Sequence, residues 1–168
     1  MGKKFWHWLE IKVSGEDSIS FVGVCLVIGF LLTICASWIM ATLGIAPEPS
    51  RGKIPILVWW FPLFLFVAAL VEELLFRFPL VFYIENWGNS WQLFTAIILF
   101  SIIFGAVHGS VKNIFLQGVF GFIYSLIFLK CGGLQGRYVK ALCMSTLAHV
   151  TTNGIIALIL LANGIKTI

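Results

Sequence analysis

The 168-residue chain is 60% hydrophobic and only 11% charged, with a mean hydropathy of +1.03, where an ordinary soluble domain carries about 25% charged residues. That balance excludes a soluble globular protein and points to an integral membrane protein, with residues 1–168 as a single membrane-embedded helical domain. The net charge of +4 is scattered rather than blocked, which suits contact with the anionic headgroups of a lipid bilayer and excludes a nucleic-acid surface.

Residues 1–17 interleave Lys3, Lys4 and Lys12 with Phe5, Trp6, Trp8 and Ile11, the pattern of a short interfacial helix or of a tail with an aromatic anchor. The apolar run 19–45 is too long for a signal-peptide core and lacks a convincing cleavage site, so it predicts a retained first span. A polar, proline-bearing loop follows at 46–53, and the chain is then apolar from Ile54 to Ile84. At about 1.5 Å per residue this run exceeds the hydrocarbon thickness, so it must tilt, kink or break, with Pro62 and Pro79 as the places. Pro79 is expected to end or bend the helix.

An interfacial turn is predicted at 85–91, where Trp87 and Trp91 flank small polar residues. Residues 92–107 form a third span with His108 at its end, and residues 111–130 form a fourth. A glycine-rich loop at 131–137 leads to the last span, residues 139–164. The expectation is an all-α, polytopic transmembrane bundle of five spans, or six if the long second run breaks. Counting Lys3, Lys4, Lys12, Lys130, Arg137 and Lys140 against Arg51, Lys53, Lys112 and Lys166 puts the N-terminus in the cytoplasm. Cys25, Cys35, Cys131 and Cys143 occur singly, so neither a disulfide framework nor a thiolate metal site is expected.

The polar residues of the apolar runs gather in three clusters: Glu72, Glu73 and Arg77; Phe104 and His108; His149 and Asn153. Ionisable groups in hydrocarbon are costly and by default functional, and they must find partners or line a wet cavity, so three helices bearing such faces should converge. At about 100° per residue Glu73 shares a face with Arg77, while Glu72 points about 140° away from Arg77. Glu73 therefore pairs with Arg77 and Glu72 is left for chemistry. Ser101, Gly105 and Gly109 recur every four residues, which predicts close packing beside His108.

The bland readings are an ion network fixing helix register, an interfacial histidine, and interhelical hydrogen bonds from His149 and Asn153. Zinc held by Glu72, His108 and His149 is a chemical alternative, though the spacing is not that of a zincin and no carboxylate is evident to orient both rings. A bis-histidine haem or quinone site and a non-catalytic immunity or scaffold protein binding a peptide in the same cavity complete the alternatives.

Glu-Glu-x-x-x-Arg (Glu72, Glu73, Arg77), Phe-x-x-x-His (Phe104, His108) and His-x-x-x-Asn (His149, Asn153), in that order on separate hydrophobic helices, resemble the CAAX prenyl protease and bacteriocin-processing family of intramembrane proteases. The resemblance implies a glutamate-dependent endopeptidase without a metal cofactor, in which Glu72, helped by His108, activates water. On the same resemblance His149 and Asn153 stabilise the oxyanion, and Glu73, Arg77 and Phe104 support them. A carboxylate kept from bulk water is a better base for this purpose, and a nearby cation opposes that gain, so an Arg77 engaged by Glu73 suits the assignment. The implied partner is a membrane-associated peptide or protein tail, and the implied location is the plasma membrane of a prokaryote. Prenylated tails, pheromone or bacteriocin leaders and C-terminal sorting segments are all compatible substrates, and the oligomeric state is not legible.

Overall fold

The computed structural model describes residues 17–44, 61–87 and 90–162, and these form helices and turns without a strand among them. The helices are α1 (Asp17–Thr42), α2 (Phe61–Trp87), α3 (Ser90–Val107), α4 (Val111–Lys130) and α5 (Tyr138–Ala162), with a short 3-10 turn at Gly133–Gln135. This is the expected all-α membrane bundle, with five helices among the described residues. The interfacial segment expected at residues 1–17 lies outside them but for Asp17, which is the first residue of α1, and the loop at 46–53 lies outside them altogether.

Among the described residues three helices are long and apolar enough to cross a membrane: α1, α4 with its following turn, and α5. Residues 91–107 of α3 form a shorter apolar helix. Helix α2 is 27 residues long but carries Glu72, Glu73 and Arg77 in the middle of its hydrophobic sequence. Large apolar side chains such as Leu31, Ile34, Trp38, Leu63, Phe78 and Leu158 face outward, as lipid-facing positions do.

Two expectations along the second run are corrected. Of the end or bend expected at Pro79, the end is not found, and the helix continues to Trp87. A proline removes one N–H from the helical ladder, but packing on both sides of it holds the helix, since Arg77 and Leu80 are both buried. Of the turn expected at 85–91, Glu85 to Trp87 are helical instead, and the Asn86 side-chain amide donates to the Phe82 carbonyl (2.8 Å) in the last turn of the helix. Pro62, by contrast, stands in the first turn of α2, where the missing N–H costs nothing.

Helix α4 is the centre of the bundle, packing against α1, α3 and α5, while α2 packs against α3 and α5. From Gly118 onward most α4 residues are buried. One apolar cluster joins Val22, Cys25 and Leu26 of α1 to Phe120, Ile123 and Ile127 of α4. A second joins Leu80 of α2, Leu93 and Ile97 of α3 and Phe128 of α4. Helix α5 presents the small buried residues Ala141, Ser145 and Ala148 towards its neighbours, which lets its backbone come close. All four cysteines are free.

The α3–α4 hairpin shows the close packing predicted from the small-residue repeat. A Cβ on Gly105 would lie 2.5 Å from the Asn113 carbonyl oxygen and closer still to the Ile114 Cα, and Ser101 lies against Gly118. Gly109 does something else: it sits in the connecting turn with φ +94 and no packing neighbour, so backbone conformation rather than contact requires it.

Candidate active site

Glu73 and Arg77 are one helical turn apart on α2 and pair through two hydrogen bonds, Nε to Oε2 at 2.8 Å and Nη2 to Oε1 at 3.2 Å. Both are shut away from solvent, at 0% and 2% exposure, so the pair is a fork of charge-assisted bonds inside the protein. Arg77 Nη1 also donates to Ser125 Oγ on α4 (2.6 Å), and that hydroxyl donates to the Gly121 carbonyl (2.9 Å).

Glu72, one residue earlier, takes the other direction expected from helical geometry. Its Oε2 lies 3.6 Å from His149 Nε2 and 3.8 Å from His108 Nε2, beyond direct hydrogen-bond reach of either. That oxygen is buried and has no hydrogen-bond partner, while the side chain as a whole is 35% exposed. The carboxylate thus sits at the edge of the protein with one oxygen turned inward between two imidazoles.

Each imidazole is fixed from behind. His108 stands just past the C-terminus of α3, and its Nδ1 is 2.6 Å from the Phe104 carbonyl oxygen. A carbonyl only accepts, so Nδ1 carries the proton. Asn113, in the first turn of α4, donates to the His108 carbonyl (2.6 Å) and holds the turn itself. His149, in the middle of α5, has Nδ1 3.1 Å from Glu73 Oε1, so its Nδ1 proton is held by a carboxylate that Arg77 keeps in place. Both rings therefore turn Nε2 toward Glu72.

Phe104 separates the two rings. It is 1% exposed and meets Phe76 and His149 edge-on, with centroid distances of 5.0 and 5.7 Å, and lies 4.8 Å from His108. Its place in the expected site is that of a packing hub.

The structure thus brings Glu72, Glu73, Arg77, Phe104, His108 and His149 together from three parts of the chain. Asn153 follows His149 by one helical turn and is half-buried, outside the hydrogen-bonded network. No single carboxylate orients both rings. Glu73 orients His149, and a backbone carbonyl serves His108 instead. Among the described residues no three His, Cys, Asp or Glu side chains are grouped so as to hold a metal.

Tyr124 and Ser125 of α4 are the residues that sequence reasoning missed. Tyr124 stacks on His149 and Ser125 holds Arg77. Their signal was a pair of hydroxyls inside an otherwise apolar span, where each must find a partner.

A carboxylate faced by two oriented ring nitrogens in a mostly apolar wall is equipped for proton transfer to and from a small polar molecule. Residues 54–155 match a family model described as Type II CAAX prenyl endopeptidase Rce1-like. No curated protein and no solved structure gives a match.

Proposed function

Because the chain belongs to the Rce1-like family of type II CAAX prenyl endopeptidases, we propose that it is an intramembrane endopeptidase that uses Glu72 as a general base on water. The observation that carries the reading is the partnerless, inward-facing Oε2 of Glu72 between the Nε2 atoms of His108 and His149. Glu72 takes a proton from water, and the water oxygen bonds to the scissile carbonyl carbon. His108, protonated on Nδ1, keeps Nε2 as an acceptor and orients that water through its second proton.

The carbonyl oxygen becomes an oxyanion, received by His149 Nε2–H and the Asn153 amide. This requires His149 to carry both ring protons, and Glu73 is placed to balance the resulting charge. As the C–N bond breaks, Glu72 returns its proton to the leaving amine. The substrate is a membrane-associated peptide or protein tail, and the protein acts in the plasma membrane of a prokaryote.

The test uses purified protein in proteoliposomes and an internally quenched farnesylated peptide with a CAAX terminus. Wild type cleaves it, and Glu72→Gln, equally folded, is slower by roughly 10²- to 10⁴-fold. Equal cleavage by Glu72→Gln overturns the reading.

Zinc on Glu72, His108 and His149 is the second reading, although these three side chains are not grouped as a ready metal site in this structure. One observation favours it: both Nδ1 protons are held by acceptors, as those of zinc-ligating histidines are. Cleavage abolished by a tight chelator and restored by added zinc would establish that version.

A further inference from the structure

Helix α4 carries none of the motif residues, yet two of its neighbouring side chains close a circuit around His149. Ser125 Oγ accepts from Arg77, Arg77 binds Glu73 through two nitrogens, and Glu73 Oε1 accepts from His149 Nδ1. The face of the same ring lies on Tyr124, with centroids 4.7 Å apart and planes inclined by 22°. Tyr124 is 1% exposed.

We propose that Tyr124 and Ser125 are a positioning pair that sets, respectively, the plane of the His149 ring and the location of its Nδ1 proton. An imidazole has two soft torsions and two titratable nitrogens, and both freedoms must be removed before Nε2 can face Glu72 reliably. The flat phenol face removes rotation. The Ser125–Arg77–Glu73 relay holds an acceptor at Nδ1, which keeps the proton of the neutral ring there and leaves Nε2 to take up the second proton that the hydrolytic scheme uses. Because the two anchors are consecutive residues of the most buried helix, ring plane and proton position are fixed against a single rigid element. Neither residue touches a substrate in this scheme. The activity arm of the test rests on the hydrolytic reading above, and the spectroscopic arm does not.

The spectroscopic arm is ¹⁵N-histidine NMR of the full chain in detergent. There are three histidines, so His7→Gln and His108→Gln variants assign the His149 signals. In the neutral form of the ring, wild type shows the proton on Nδ1 of His149. Tyr124→Leu and Ser125→Ala show a mixture in which the proton is shared with Nε2, whereas Tyr124→Phe, which keeps the ring face, and Ser125→Thr, which keeps the hydroxyl, retain the wild-type signal.

The activity arm is cleavage of the farnesylated CAAX peptide. Tyr124→Leu lowers kcat by about 10- to 100-fold with little change in KM, as expected of a misplaced reacting group. Tyr124→Phe and Tyr124→Trp restore most of it. A merely space-filling role would be served as well by Leu as by Phe.

A Tyr124→Leu protein with the wild-type ¹⁵N pattern and wild-type kcat overturns the proposal. If Tyr124→Leu does not fold, Ser125→Ala against Ser125→Thr decides: identical spectra reject the pair, and a shift in Ala alone supports it. Should Glu72→Gln prove fully active, the hydrolytic reading fails while the spectra still decide the positioning claim.

Discussion

Glu72 and Glu73 are neighbours in sequence with opposite surroundings, and the helical angle between them accounts for the difference. Glu73 is enclosed with Arg77 and His149, whereas Glu72 lies at an opening with an unbonded oxygen. A buried ion pair is strongly penalised when one partner is removed and much less when both are. Glu73→Gln and Arg77→Met should therefore each lower stability by about 3–5 kcal/mol, and the double variant by less than the sum. Thermal unfolding of the three variants in one detergent measures this. Strict additivity would show that the two side chains do not act as a unit. The Glu73–Arg77 pair was legible because both partners lie on one helix at a spacing of four. The bond from His149 to Glu73 was not, since it joins residues 76 apart in the chain and depends on how α5 is rotated against α2.

At the scale of the helix, residue pattern gave the existence and order of the spans but not their ends. Hydropathy marks the apolar stretch and is silent on local partners, so it could not anticipate that Asn86 would engage the last turn of α2 or that Pro79 would be carried through by burial on either side. The α3–α4 hairpin was foreshadowed by Ser101 and Gly105, while Gly109 shared the spacing for an unrelated reason. Two glycine substitutions separate contact from propensity. Gly105→Ala must drive backbones apart, so it should cost about 1–3 kcal/mol and lower cleavage by displacing His108. Gly154→Ala on α5 meets nothing within 4 Å and should be stabilising by about 0.5–1 kcal/mol. Chemical denaturation of both variants, with peptide cleavage alongside, checks the contrast; equal effects would mean that the hairpin is not tightly seated.

For the whole molecule, composition alone announced a membrane protein, because 11% charge cannot clothe a soluble surface. Cys35 and Cys143 are exposed on the isolated protein, on the outer faces of α1 and α5. In a bilayer those faces meet hydrocarbon, where a thiol ionises poorly. A charged, membrane-impermeant maleimide should label neither in proteoliposomes and both after denaturation in SDS. Rapid labelling of Cys35 in liposomes would place α1 outside the lipid. The length of α3 has one more implication. Its 18 residues rise about 27 Å, close to the depth of the oily layer, so the bend bearing His108 emerges at one rim of the sheet rather than at its middle. Glu72 is drawn to that same rim by its proximity to His108. On the proposed hydrolytic reading the site is therefore lopsided, within reach of polypeptides moored in one leaflet and out of reach of those moored in the other.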